Sequence, residues 1–311
     1  MSVVRLRLAA HVLCLSIVCI ASGCSDKEST ARTDSKDDTK PNVCAVSYPL
    51  AFFAEEIGGE HITVQFPVPR DEDPAQWDPD AKAVSQFQRA DLILLNGAGY
   101  AEWVDRISLP DSKVVDTTVD VREKYLYGED SITHQHGPDG QHTHQQLAST
   151  TWLDLQIAIV QARAVKDALS RLLPDKAVAF QDRFDTIQDE LNDLDKTLRS
   201  EVSDQPPVAL VCAQPIYQYL ARRYGLSLRC VQWPSDRMPD ESAWDELRGL
   251  LAEQPVEAML WQQEPPGDLR RELERLGLSV VVFDPMSNTP AGEDFLKVMD
   301  DNVERLKPFL K

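Results

Sequence analysis

Apolar runs and amphipathic segments alternate along the chain from residue 43 onward. Four predicted elements come first, in the order strand, helix, strand, helix: 43–48, 49–57, 62–68 and 81–89. The run at 91–96 is apolar throughout between two polar ends, which is typical of a strand buried on both faces of a sheet. A short strand is predicted at 113–116. This order indicates a parallel sheet with crossover helices.

The same alternation returns in the last third of the chain. Strands are predicted at 207–213, 227–233, 258–262 and 279–284. Helices are predicted at 216–224, 241–253, 268–276 and 293–306. Gly225 and Gly277 follow the first and third of these helices, where glycine commonly ends a helix. The pattern therefore predicts a second lobe of the same kind.

Two helical segments, at 154–173 and 175–202, separate the lobes, with Pro174 between them. Apolar residues of the longer segment repeat every three or four positions: Phe180, Phe184, Ile187, Leu191, Leu194 and Leu198. Such a stripe covers one face, so we expect this helix to lie along the folded body rather than in a coiled coil.

The predicted fold is α/β, with two βα lobes of mainly parallel sheets joined by one long helix and a ligand cleft between the lobes. Its parts are an N-terminal lobe (43–174), a linking helix (175–203) and a C-terminal lobe (204–311). Ligands of such lobes usually bind at the carboxyl ends of the strands, which here face the cleft.

The first 24 residues have the order of a secretory signal. Arg5 and Arg7 precede a mostly apolar run, Leu8–Ile20, which is too short for a permanent membrane span. Ala21-Ser22-Gly23-Cys24 then resembles a lipobox, which predicts cleavage before Cys24 and acylation of that residue. Residues 25–42 contain no large apolar side chain and are predicted to be a flexible tether. We therefore expect an exported, membrane-anchored lipoprotein.

The mature chain is strongly acidic. The whole sequence carries a net charge of −19, and loss of Arg5 and Arg7 with the signal leaves −19 − 2 = −21. This balance argues against binding nucleic acid or docking electrostatically on anionic lipid. Of the cysteines after Cys24, Cys212 and Cys230 are compatible with either a disulfide or two buried thiols, and Cys44 remains over.

The segment 127–149 breaks the pattern. It is polar, it is predicted to be a mobile loop, and it holds four of the six histidines. His134 and His136 form one H-x-H pair, and His142 and His144 form another across a Gly-Pro-Asp-Gly turn. Imidazole is a common ligand of transition metals, and capture by neutral imidazole should weaken below about pH 6. The stretch 131–146 is therefore predicted to bind a metal ion, with a solvated polar insertion as the alternative.

Six short sequence motifs are spread along the chain. They are Tyr48-Pro49-Leu50, Asp73-Pro74-Ala75-Gln76-Trp77, Asn96-Gly97-Ala98-Gly99-Tyr100, Trp152-Leu153-Asp154, Tyr219–Leu226 and Phe283-Asp284-Pro285. With them the chain resembles the zinc/manganese solute-binding proteins of ABC transporters over residues 43–311. The resemblance implies two lobes, a rigid linking helix, Zn or Mn as the transported ligand, and a membrane permease as partner.

The resemblance also implies a metal between the lobes on three histidines and a carboxylate, which suits Zn²⁺ or Mn²⁺. The positions that match the three histidines here are Ala75, Thr150 and Gln214. A glutamate position matches Gln262, and the aspartate is retained as Asp284. Outside the loop the histidines are His11 and His61, so no shift of alignment restores the site. The cleft is therefore not expected to be a zinc site of the usual kind.

Three hypotheses follow. The first is a lipid-anchored binding component that captures metal, through the His-rich loop and Asp284, for a permease. The second is a family descendant with a retired cleft that acts as a metal buffer, an adhesin-like protein or an accessory interaction protein. The third is a binding protein for a non-metal solute. No enzyme is expected, since the sequence has no G-x-S-x-G, H-E-x-x-H, phosphate loop or G-x-G-x-x-G.

Overall fold

The N-terminal lobe is built on a four-stranded parallel sheet. The computed structural model describes residues 40–135, 141–202, 208–234 and 237–310, with 128–135 and 141–146 described as backbone only. The sheet contains β1 (Asn42–Ala45), β2 (Thr63–Gln65), β3 (Leu92–Leu95) and β4 (Val114–Asp116), in the order β2-β1-β3-β4. Helices α1 (Tyr48–Gly58) and α2 (Ala81–Arg89) connect them. The predicted parallel sheet is confirmed.

The segment predicted as a loop at 127–149 is instead largely an antiparallel ribbon, so that prediction was wrong. Its strands are β5 (Tyr127–Gln135) and β6 (Gln141–Leu147). Hydrophobic periodicity gave no indication of these strands, because the segment has few apolar residues and its pairing depends on backbone hydrogen bonds.

Two long helices follow the N-terminal sheet: α3 (Leu155–Leu172) and the linking helix α4 (Ala177–Glu201). The carboxylate of Asp154 caps α3 by accepting a hydrogen bond from Gln156 N at 3.1 Å. Five of the six predicted stripe residues of α4 are buried, and Leu194 is half-buried. Asp195 is also buried on this helix, which the apolar stripe did not indicate.

The C-terminal lobe repeats the architecture. Its strands are β7 (Ala209–Cys212), β8 (Ser227–Cys230), β9 (Ala258–Trp261) and β10 (Ser279–Val282), parallel and in the order β10-β9-β7-β8. Its helices are α5 (Gln218–Tyr224), α6 (Glu241–Glu253), α7 (Gly267–Arg275) and α8 (Phe295–Leu306). In the part of the chain that the structure describes, no helix has the length and apolar character that a bilayer span requires.

One buried apolar cluster runs through both lobes. It includes Val43 of β1, Leu191 of α4 and Leu260 of β9. Phe52 of α1 lies 5.6 Å from Phe295 of α8, measured between ring centroids, so the two lobes also meet directly through aromatic packing. A second cluster covers the other face of the C-terminal sheet.

Cys212 and Cys230 are joined by a disulfide. They are register partners at the carboxyl ends of β7 and β8, and their Cα atoms lie 4.6 Å apart. Of the two alternatives that the sequence left open, the structure has the disulfide. Cys44 is a free, buried thiol whose sulfur lies near Gln65 and the carbonyl of Gln86, and burial raises its pKa to about 12.

Because the disulfide closes a loop with a sequence separation of 18, we expect the double variant Cys212→Ser/Cys230→Ser to lose about 2–3 kcal/mol of unfolding free energy. Urea denaturation with and without a thiol reductant checks this. Reductant should lower the stability of the parent chain and leave the double variant unchanged. Equal stability of the parent in both conditions would contradict the prediction.

Candidate functional site

Three of the positions that correspond to the family ligands, Gln214, Gln262 and Asp284, follow the carboxyl ends of β7, β9 and β10. Thr150 precedes α3 and donates its hydroxyl to Ile216 O of the C-terminal lobe at 2.5 Å. Gln214 follows β7 and donates from its side-chain amide to Trp233 O. Gln262 follows β9 directly and is half-buried. The side chain of Ala75 has no atom that could bind a metal. Its backbone amide donates a hydrogen bond to Asp73 Oδ1 at 2.9 Å.

Asp284, the retained carboxylate, is held by its own lobe. Its Oδ1 accepts a hydrogen bond from Met286 N at 2.8 Å. The side-chain amide of Asn302 accepts a hydrogen bond from the backbone N of Asp284 and donates one to its backbone O. Burial raises the pKa of the Asp284 carboxyl, and the Met286 amide and the charge of Arg305 partly oppose that rise.

Asp284 does not belong to a metal-binding cluster within the part of the chain that the structure describes. Among the residues that the structure describes, no three His, Cys, Asp or Glu side chains are grouped in a way that could hold a metal ion. The loss of the usual cleft ligands stays a prediction. The structure describes no further ligands around Asp284 that would complete a metal site. The assignment of Asp284 as a metal ligand stays a prediction.

The His-rich segment is organised by its backbone. In the β5–β6 ribbon, positions 134 and 142 are register partners, and positions 132 and 144 are the next such pair on the same face, because alternate positions of a strand share a face. His134, His142 and His144 therefore stand at positions of one face of the ribbon. His136 lies outside the described residues, as do Cys24, the signal 1–24 and the tether up to residue 39.

Two cavities lie outside the positions of the family ligand histidines. One, of about 590 Å³, runs along the outer edge of β10 and is lined in part by Asp284 and Arg305. The other, of about 360 Å³, lies at the carboxyl ends of β1 and β3, where the strand order reverses. Neither is lined by Ala75, Thr150 or Gln214.

Three tryptophans, Trp77, Trp233 and Trp261, are all buried in the two cores. Trp77 packs edge-on against Trp103, and Trp233 packs in the same way against Trp244. None is free to stack on a ligand. The sulfur of Cys44 contacts the carbonyl oxygen of Gln86 in α2.

Sequence reasoning missed the segment 285–290, which we call the strap. It leaves the C-terminal lobe after Asp284 and is hydrogen-bonded to the N-terminal lobe along its length. Its run of turn-forming residues, Pro285-Met-Ser-Asn-Thr-Pro290, was the available signal, since a long turn sequence directly after the last strand falls at the cleft.

Two parallel-sheet lobes that face each other across a cleft and share one long linking helix define a bilobal solute-binding scaffold. The sequence profile of the family described as "Zinc-uptake complex component A periplasmic" matches residues 43–308, and the chain belongs to this family.

Curated relatives include the zinc-binding lipoprotein AdcA of Streptococcus pneumoniae, 26% identical over 281 residues, which cover 87% of this chain and 56% of the relative. A metal ABC transporter substrate-binding lipoprotein of Lactococcus lactis is 26% identical over 252 residues, covering 77% of this chain and 74% of the relative. The chain thus spans little more than half of the AdcA relatives.

Solved structures show the same fold. The Zn(II)-bound ZnuA-like domain of S. pneumoniae AdcA aligns with a TM-score of 0.74 at 23% identity, covering 87% of this chain and 99% of that domain. The metal-dependent lipoprotein YcdH of Bacillus subtilis aligns with a TM-score of 0.75 at 18% identity, covering 88% of this chain and 100% of that one. The predicted fold class is therefore confirmed.

Proposed function

We propose that the chain is the extracytoplasmic, lipid-anchored binding component of a zinc-type ABC transporter, and that it takes up Zn²⁺ through its His-rich ribbon for a membrane permease. Family membership supports transport, and relatives named as zinc-binding lipoproteins support the ion and the anchor. Mn²⁺ is the other ion that the ligand chemistry admits. In this proposal the chain acts as a solute-binding protein and not as an enzyme.

The observation that carries this proposal is the register of the β5–β6 ribbon. Paired positions on neighbouring antiparallel strands have Cβ atoms about 4.5–5.5 Å apart, and two imidazoles at that spacing can share one Zn²⁺ with bonds of about 2.0–2.1 Å. Positions 134 and 142 are such a pair, and position 144 follows on the same face. His136 belongs to the proposed ligand set through its sequence spacing.

The test is calorimetric titration of the full chain with ZnCl₂ at pH 7.5. Replacing His134, His136, His142 and His144 together by glutamine is expected to weaken zinc binding at least about tenfold, because imidazole nitrogen is a far better zinc ligand than a neutral amide. Binding to the parent should also fall below about pH 6, where imidazole protonates.

The matched control replaces Gln135, Gln141 and Gln145 of the same ribbon by alanine and should bind zinc like the parent. Tight binding that persists in the four-histidine variant would show that other donors hold the metal and would overturn the assignment. If zinc binding weakens equally in both variants, zinc binding requires the folded ribbon but not its histidines as ligands.

One observation favours a second function. Because Thr150 and Gln214 make hydrogen bonds within the protein and Ala75 has no donor, the cleft offers no described set of metal ligands. A metal buffer or an adhesin-like accessory protein needs only the ribbon. Zinc uptake by cells that express the four-histidine variant separates the two, since loss of uptake supports transport and unchanged uptake supports the accessory role.

A further inference from the structure

The strap joins the lobes by hydrogen bonds at four of its residues. Trp152 Nε1 donates to Pro285 O at 2.6 Å, and Tyr48 N donates to Ser287 O at 3.1 Å. Asn288 Nδ2 donates to Pro69 O at 2.6 Å and to Glu72 O at 2.8 Å, and Arg70 Nη1 donates to Pro290 O at 3.0 Å. All of these bonds run between the C-terminal strap and the N-terminal lobe.

The conformation of the strap depends on Asp284. Met286, the second residue after it, has φ +59 and is fully buried. A non-glycine residue in this left-handed region costs about 1–3 kcal/mol and persists only where its surroundings hold it. The hydrogen bond from Met286 N to Asp284 Oδ1, at 2.8 Å, is the local contact that fixes this turn. Asn302 of α8 holds the backbone of Asp284 at both N and O.

A former ligand position strengthens the same closure. Thr150 stands where the family has a histidine, and its hydroxyl bonds to Ile216 O across the cleft. The aromatic packing of Phe52 on Phe295 adds a further direct contact between the lobes. The lobes are therefore held together by direct protein contacts, one of them made by Thr150.

We propose that Asp284 is a positioning residue that caps the strap, and that the strap keeps the two lobes closed over the cleft in the absence of metal. This inference goes beyond the zinc-binding role of the ribbon and does not depend on it. Zinc captured at the ribbon then leaves the angle between the lobes unchanged.

A pair of variants separates capping from metal ligation. Asp284→Asn keeps an oxygen at the Oδ1 position, so it retains the hydrogen bond from Met286 N, whereas Asp284→Ala removes the acceptor. The readout is hydrogen exchange of the Tyr48 amide, which donates to Ser287 O. The chain is measured with and without ZnCl₂, and zinc stoichiometry is recorded in the same samples.

We expect the Tyr48 amide to be protected in the metal-free parent and in Asp284→Asn. In Asp284→Ala its exchange should be at least about tenfold faster, because the strap loses its local anchor. Asn288→Ala, which removes two strap bonds without touching Asp284, should also accelerate this exchange. Zinc should change none of these rates.

Protection of Tyr48 that is absent without zinc and gained on adding it would overturn the proposal. Equal loss of a bound zinc in Asp284→Asn and Asp284→Ala would also overturn it, since that result identifies the carboxylate as a ligand. Absence of zinc binding in every sample would refute the ribbon's role in uptake, while the exchange rates of the metal-free chains would still decide the strap.

Discussion

Replacing Asp195 by alanine is expected to lower the free energy of unfolding by about 3–5 kcal/mol. Asp195 is a buried carboxylate on the inner face of α4. Its oxygens accept hydrogen bonds from Arg223 Nε at 2.8 Å, Arg223 Nη2 at 2.5 Å and Tyr224 Oη at 2.9 Å. These bonds attach α5 of the C-terminal lobe to the linking helix, and the substitution leaves the guanidinium with the more distant carboxylate of Asp154, 3.9 Å from Arg223 Nε.

The loss of unfolding free energy in Asp195→Ala should depend on pH. Burial raises the pKa of the Asp195 carboxyl, but the hydrogen bonds from Arg223 and Tyr224 outweigh it and hold that pKa below its usual range. A lowered folded-state pKa means that the stabilisation is present above the unfolded-state pKa of about 3.9 and is lost as pH falls through the folded value. The difference between parent and variant should therefore be constant from neutral pH down to about pH 5 and shrink below about pH 4.

Urea denaturation monitored by circular dichroism measures this difference. Asp193→Ala is the matched control, because Asp193 lies on the same helix, is exposed and, among the residues that the structure describes, pairs with Lys196. Its loss should change stability by no more than about 0.5 kcal/mol. If the two variants lose equal stability, the Asp195–Arg223 contact does not connect the lobes as described.

Gly97→Ala is expected to cost about 3–5 kcal/mol, through backbone strain and overlap together. Gly97 has φ +74, a region that disfavours a side chain. A Cβ built there would overlap Thr118 Oγ1 and Asp116 Oδ1 and would lie 2.8 Å from Tyr125 Oη. These groups are already bonded to one another, since Thr118 Oγ1 lies 2.7 Å from Tyr125 Oη.

Gly99→Ala isolates the two contributions. Gly99 has φ +66, but a Cβ there meets no atom within 4 Å. It should cost only the conformational part, about 1–2 kcal/mol. Thermal unfolding of both variants under one condition gives the comparison, and equal losses at the two positions would show that the overlap at Gly97 is relieved by a local shift.

Much of the fold was accessible from the pattern of apolar residues, because strands buried on both faces and amphipathic helices leave strong signals. Helix α6 was predicted with its bounds, 241–253, and the strand at 91–96 proved to be β3 with one fewer residue at each end. The β5–β6 ribbon was missed because polar pairing leaves no apolar period. Asp195 was missed for a related reason, since its burial depends on Arg223, a partner 28 residues away.

The site was less accessible. The substitutions at Ala75, Thr150 and Gln214 were evident once the resemblance fixed their places, and the geometry shows the last two hydrogen-bonded within the protein. The turn-forming run 285–290 indicated a turn at the cleft, but the contacts of the strap were not foreseeable, because its hydrogen bonds to the N-terminal lobe join residues 133 or more positions apart and all end on backbone carbonyls, which carry no side-chain signal. Asp284 was assigned to a metal by position, while its contacts connect it to Met286 and Asn302.

The apolar cluster that runs from β1 through α4 to β9 has a consequence for how this chain can evolve. The two lobes have the same strand order, yet they share this one hydrophobic interior, and only the outer face of the C-terminal sheet packs on a cluster of its own lobe. If one lobe were replaced by the corresponding lobe of a relative, the new lobe would have to fit the apolar surface of the lobe that was kept. Substitutions near the shared interior are therefore constrained from both sides, whereas the polar ribbon at 127–147 can gain or lose residues with little effect on folding.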